Sequence, residues 1–190
     1  MTDILSRDRQ LKLFEFDQAA AWKGSLTNDS KNLSLGDDGN EINKALFKLT
    51  DEETGQVIKE AGGGTVTWSR RDGHPTGAYV VIVVVDGQIY TTSTDDRGRN
   101  KAWRRDPRTA WIFDVPGKGG VTAIGKVVFE EDPVVKMRIY NAMADAAVRM
   151  MGANRERFFA YLNMGGREVM RLVPEKYVTA HTGKVVAMMS

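Results

Sequence analysis

The segment that most constrains the fold is "GAYVVIVVVDGQIYTTST", residues 77–94. Its β-branched residues lose side-chain freedom in a helix and pack well on a pleated surface. The apolar run "AYVVIVVV", residues 78–85, is too short to span a bilayer as a helix. Asp86 and Gly87 then form a two-residue hairpin signal, and "QIYTTST" is the returning strand. Upstream, Val66 and Trp68 alternate with polar neighbours and "RDGHP" supplies another turn. Residues 65–94 therefore read as a three-stranded antiparallel meander.

Helix punctuation frames this β-rich stretch. Thr50 and Glu53 have the spacing of a capping box, and acidic residues in the first turn suit the helix dipole. Gly62 fits a left-handed C-cap, so "GGG" ends a helix; a phosphate-binding glycine loop would need a strand before it. "RGRNKAWRRDP" reads as a short helix stopped before Pro107. "RTAWIFDV" and "GGVTAIGKVVFEE" read as two more strands. "DPVVKMRIYNAMADAAVRMMG" has Asp132 as cap, Pro133 in the first turn and Gly152 as stop. On that helix Val135, Ile139, Met143, Ala146 and Met150 share one face, which we read as core with methionine filling gaps. "NRERFFAYLN" is a second helix, and "REVMRLVPEKYVTAH" a last strand broken at Pro174. Five strands, then helices, then a terminal strand predict a mainly β protein, a small antiparallel barrel of six or so strands with peripheral helices.

Residues 1–48 are harder to read. "LKLFEFDQAAAWKG" fits a short helix, and "SLTNDSKNLSLGDDGNEIN" is polar and rich in turn formers. "GDDGNE" lacks the acidic spacing and closing Glu of a calcium loop. We expect these residues to form an arm, with "LFEF" and Trp22 as apolar anchors, and residues 49–190 to form the barrel domain.

The 190 residues carry 27 Lys and Arg against 25 Asp and Glu, a net charge of +2, so no global field marks a nucleic-acid or membrane surface. With no cysteine there are no disulfides and no thiolate metal sites or nucleophiles. No apolar stretch of signal-peptide length opens the chain, and the expected compartment is the cytoplasm. No histidine-rich metal spacing is visible. His74 reads as a solvated turn residue, and His181 near the C-terminus stands in no recognisable motif.

Against this balanced background, Arg97, Arg99, Lys101, Arg104, Arg105 and Arg108 crowd together directly after Thr91, Thr92, Ser93 and Thr94. Strand-end hydroxyls, a helix N-terminus and nearby cations compose a phosphate cradle. The same run is also what a solvated basic helix face looks like. The residues alone leave both readings open.

Residues 65–113 resemble the flavin-binding split β-barrels related to pyridoxamine 5′-phosphate oxidase. The likeness is carried by Asp72, Gly73 and Pro75 in the turn, and by Lys101, Arg104, Arg105, Asp106, Pro107 and Arg108 in the basic segment. It extends over about residues 49–182. It implies a homodimer with FMN at the interface, acting as an oxidoreductase on a small molecule. By the same likeness Thr92, Ser93, Arg99 and Lys101 would hold the phosphate, and Tyr79, Val80 and Val81 would support the ring. "RGRNK" departs from the Ser-Arg-Lys-like run of many relatives, which bears most on Arg99. The features expected for pyridoxal phosphate recognition near the C-terminus are not recognisable. The alternatives are a reductase of the same fold using the deazaflavin coenzyme F-420, whose anionic tail needs further basic residues, and a flavin-binding protein without turnover. In flavin enzymes the ring carries the hydride chemistry, so the lack of a catalytic triad is no objection.

Overall fold

Side-chain caps from Thr50, Asp132 and Asn154 open three of the helices among the described residues. The computed structural model describes residues 48–181 and 183, together with the backbone of Leu33–Ser34 and Glu41–Ile42. The chain forms two compact units, residues 1–47 and 48–190. In the first, β1 (Leu33–Ser34) and β2 (Glu41–Ile42) pair antiparallel. The expected helix at residues 11–24, the Trp22 anchor and most of "GDDGNE" lie outside the described residues.

In the second unit, α1 (Asp51–Ala61) opens with the complete capping box: Glu53 N–H donates to Thr50 Oγ1 at 3.2 Å, and Thr50 N–H to Glu53 Oε2 at 2.7 Å. It ends at Gly62 with φ 59°. The sheet is built from β3 (Gly63–Ser69), β4 (Pro75–Val81), β5 (Val83–Val85), β6 (Gln88–Thr94), β7 (Arg108–Val115), β8 (Gly119–Glu130) and β9 (Arg167–Ala180). Between them lie α2 (Gly98–Arg105), α3 (Pro133–Met151) and α4 (Arg155–Leu162). On α3, Asp132 accepts from Val134 N–H at 2.8 Å, Pro133 occupies the first turn and Gly152 closes the helix with φ 62°.

The order of the seven strands is β4-β3-β7-β8-β9-β6-β5, with every pairing antiparallel. The apolar run 78–85 is therefore two strands, where the sequence reads as one. Ile82 lies between them and donates its N–H to Gly62 O at 2.9 Å, in the register of the β3–β4 pairing. From Val83 onwards the chain changes partner, so that β4 pairs with β3 while β5 pairs with β6. Both edges of the sheet come from one continuous segment, and the sheet curls into a split barrel. Thr91 Oγ1 donates to Val81 O at 2.9 Å and ties β6 to the end of β4. The β5–β6 turn has φ 52° at Asp86 and 73° at Gly87, as a hairpin with two left-handed residues requires.

Pro174 does not break the last strand. β9 runs for 14 residues and shifts register opposite Ile124 and Gly125. A bulge lets the strand accommodate a residue with no N–H to give the ladder. Gly125 is required there, because a Cβ would collide with the carbonyl oxygen of Val173 and stand 2.9 Å from Pro174 Cα.

Two apolar clusters result. One fills the barrel with Val66, Trp111, Phe113, Val121 and Leu172 and includes Trp103 of α2. The other lies between the outer side of the sheet and helices α3 and α4, joining Val83, Tyr90 and Val169 to Ile139, Met143 and Leu162. The expected core face of α3 is buried at Ile139, Met143 and Ala146, while Met150 is exposed. Among the described residues no helix is long and apolar enough to cross a membrane.

Candidate functional site

The helix that carries the basic run is anchored by its uncharged residues. Trp103 is fully buried, donates its indole N–H to Thr67 O at 3.1 Å and packs between Trp68 and Trp111. Burying such a ring contributes on the order of 4–6 kcal/mol of transfer free energy. Asn100 is also fully buried and donates to Thr94 O at 3.1 Å and Glu168 Oε2 at 2.6 Å. Glu168 is also paired with Arg104, whose guanidinium lies over the Phe129 ring. These contacts fix the rotation of α2 and, with it, the direction of every cation on it.

Arg99 is turned towards the end of β6. Its Nη2 donates to Thr92 O at 3.3 Å, while its Nε is buried without a hydrogen-bond partner. Arg97 precedes the helix, and Arg167 reaches in from the start of β9, where it stands opposite Thr94. Arg167 Nη1 donates to Thr92 Oγ1 at 3.3 Å, and its guanidinium lies 4.4 Å from the centre of the Tyr161 ring. Its Nε and the Ser93 hydroxyl are likewise buried and unpartnered. Burial lowers the pKa of Arg99, and the charges of Arg97 and Arg167 lower it further. An arginine still keeps its proton. The result is a partly buried cluster of like charge with spare donors.

These groups line one end of a cleft of about 300 Å³. Its other walls are Tyr79, Val80 and Val81 of β4 and Met143, Phe158, Tyr161 and Leu162 of α3 and α4. No carboxylate lines it among the described residues. Tyr79 is 67% exposed, and its ring extends across Gly63, where a Cβ would stand 2.5 Å from the phenol oxygen. Within the sheet β4 pairs on one side only, so Tyr79–Val81 also present strand-edge backbone.

Six of the seven residues singled out in sequence thus meet in one place: Tyr79, Val80, Val81, Thr92, Ser93 and Arg99. Lys101 does not join them. Two residues along a helix is a rotation of roughly 200°, so Lys101 points away from Arg99. It lines a separate concavity of about 440 Å³ with Trp68, Arg70, Arg71, Asp72, Gly98, Ala102 and Arg105. His74 sits exposed in the β3–β4 turn, its N–H donating to Asp72 Oδ1 at 3.1 Å. Sequence reasoning missed Arg167, Phe158, Tyr161 and Leu162 as lining residues. Met143 was read as core, and it is both buried and a wall of the cleft, with its sulfur 3.5 Å from Thr92 Oγ1. The β6–β9 pairing that brings Arg167 in joins residues 75 positions apart, and no local pattern announces it.

No protein-family model matches the sequence, and no curated protein matches it. Solved structures do. The conserved hypothetical protein Rv2991 of Mycobacterium tuberculosis superposes with a TM-score of 0.63 at 20% identity, over 75% of this chain and 91% of that one. A putative pyridoxamine 5′-phosphate oxidase of Listeria innocua gives 0.51 at 20% identity, over 65% and 92%. The fold is the split β-barrel of the pyridoxamine 5′-phosphate oxidase-like proteins. An F420 reductase shares it, with a TM-score of 0.50 at 16% identity over 65% of this chain and 94% of its own. At these identities the likeness is one of fold.

Proposed function

We propose that the protein binds a flavin-type cofactor in the β4–β6–α2 cleft and uses it as an oxidoreductase on a small organic molecule, with FMN as the first reading. The observation that carries this is that Ser93, Arg99 and Arg167 all line the cleft, each with a buried side-chain donor that has no hydrogen-bond partner (Ser93 Oγ, Arg99 Nε, Arg167 Nε), while no carboxylate is among the described residues that line it. Each such group costs free energy until an acceptor arrives. A phosphate monoester, dianionic near neutral pH, supplies acceptors and the opposite charge together. The apolar walls from β4 and α4 suit a flat ring, and the open edge of β4 offers backbone partners to its polar rim. When bound there, the flavin would supply hydride transfer. The chain's part is to hold the phosphate through Ser93 and Arg99, orient the ring against Tyr79, Val80 and Val81, and shield it beneath Phe158 and Tyr161. Thr92 fixes both Arg99 and Arg167 and so sets the shape of the anion end.

We further propose a homodimer. In the sheet register Ile112, Ile124, Val128, Val173 and Val178 point to the side opposite the barrel interior, and each is 38–49% exposed. An isologous contact between two such faces is the commonest way to cover them. It would also deepen a cleft that in one chain lies at the small end of the range for cofactor sites.

A second reading, the deazaflavin coenzyme, is favoured by the basic concavity on the other side of α2. Titrating purified protein with FMN and following the flavin absorbance tests the proposal. Saturable, stoichiometric binding is expected, and no spectral change at millimolar FMN or deazaflavin would overturn it. Turnover of the bound flavin by a nicotinamide donor separates an enzyme from a flavin-binding protein without turnover.

A further inference from the structure

One guanidinium in the cleft touches both its polar end and its aromatic wall. Arg167 Nη1 donates to Thr92 Oγ1 at 3.3 Å, and the guanidinium carbon lies 4.4 Å from the centre of the Tyr161 ring. The Arg167 backbone is fixed, standing opposite Thr94 in the β6–β9 pairing and accepting from the Tyr140 hydroxyl at 3.3 Å. Its side chain is held less firmly, by that one long hydrogen bond, with Nε buried and unpartnered. The wall itself is unevenly anchored. At the first turn of α4, Arg155 bonds Asp145 and Asn141 of α3 at 2.6 and 3.1 Å. At its last turn Leu162 is buried, Tyr161 is 49% exposed, and the chain runs on through Gly165 and Gly166 into β9. The Tyr161 ring rests on Phe158, 6.0 Å between centres, and on Arg167.

We infer that Arg167 is a positioning residue that couples the anion to the wall. A phosphate at Ser93 and Arg99 fixes the Arg167 side chain, and Tyr161 settles on it, drawing the last turn of α4 over the ligand. The inference rests on the phosphate end of the proposed cofactor site. Arg167 has five N–H donors and uses one on Thr92, so it can hold an anion without leaving Tyr161. Without the anion, the like charges of Arg97, Arg99 and Arg167 oppose one another. A dianion cancels that repulsion and immobilises the guanidinium. A cation–π contact strengthens as water is excluded from it, and a side chain already held loses less freedom when a ring closes on it. The two events therefore favour each other, and linkage makes the effect reciprocal: Tyr161 strengthens the anion's binding by the factor that the anion stabilises closure. The outcome is selection for phosphorylated ligands, since a ligand without the anion leaves α4 less firmly closed.

Hydrogen exchange of the full chain, followed by mass spectrometry, reads the opening of α4. Inorganic phosphate and FMN are the probes, with chloride at matched ionic strength as the control for screening. In wild type both probes should slow exchange of the α4 amides about 2- to 30-fold, and chloride should not. Arg167→Gln should abolish that protection. Tyr161→Leu should abolish it too and weaken phosphate by the same factor, whereas Tyr161→Phe, which keeps the ring, should preserve both. Unchanged exchange in β7 and β8 reports that each variant is folded. Phosphate binding with no change in α4, protection that survives Tyr161→Leu, or equal losses for Tyr161→Leu and Tyr161→Phe would overturn the coupling and leave the cofactor site standing. Phosphate protection of α4 with no binding of FMN would support the coupling and remove the flavin reading. Failure of wild type to bind either probe would remove both.

Discussion

Replacing Arg99 by alanine separates the phosphate reading from the solvated-helix reading of the basic run. In the folded protein Arg99 makes one long hydrogen bond, 3.3 Å to Thr92 O, and carries a buried Nε without a partner. Its charge is disfavoured by burial and by Arg97 and Arg167. Losing the one bond costs about 0.5–1.5 kcal/mol, and relief of the repulsion offsets part of that. The unliganded protein's melting midpoint should therefore move by no more than about 4 °C. Binding is expected to respond quite differently. A hydrogen bond to a charged group contributes about 1.5–3 kcal/mol, so Arg99→Ala should weaken FMN about 10- to 150-fold. Lys101→Ala, on the opposite side of α2, should leave FMN affinity within about twofold. Riboflavin, which lacks the phosphate, supplies the control. Its affinity should be low for wild type and nearly the same for Arg99→Ala, and this non-additivity ties the side chain to the phosphate. Calorimetric titration of both ligands into both variants measures it. Equal losses for FMN and riboflavin, or a larger loss from Lys101→Ala than from Arg99→Ala, would refute the reasoning.

Three other outcomes follow from the geometry. Gly125→Ala should destabilise the barrel by about 1–3 kcal/mol or more in denaturant unfolding, because the added Cβ meets the backbone of β9 at its bulge. Thr50→Ala should cost about 1 kcal/mol by removing the hydroxyl that caps α1, with flavin affinity unchanged. The Asp106 carboxyl, hydrogen-bonded by the Arg108 side chain at 2.9 and 2.8 Å, is held down to about 2. A depressed carboxylate stabilises above its unfolded pKa, near 4, and that contribution is lost as pH falls through about 2. An NMR titration should place its midpoint there, and Arg108→Ala should return it to the ordinary carboxylate range.

The parts of this fold that were legible in sequence are those set by neighbours along the chain. Thr50 with Glu53, Asp132 with Pro133, and Asp86 with Gly87 each specify a local geometry that the structure contains. What a single strand pattern could not disclose is the break at Ile82. The apolar run continues through it unchanged, and only the change of partner, from β3 before Ile82 to β6 after it, divides it. Pro174 misled for a related reason, since a proline signals a break in isolation while the long pairing with β8 carries it within a bulge. For the site, the crowding of charge after strand-end hydroxyls was visible, but the rotation of α2 was not. That rotation is set by Trp103 and Asn100 burying themselves against β3, β6 and β9, and it alone decides that Arg99 and not Lys101 faces the cleft.

A crystal structure of the protein soaked with FMN tests the central claim most directly. The phosphate should lie within hydrogen-bond reach of Ser93 Oγ and Arg99, with the ring against Tyr79, Val80 and Val81 and beneath Phe158 and Tyr161. FMN density elsewhere on the barrel, or a phosphate seated on Lys101 with the cleft empty, would contradict it.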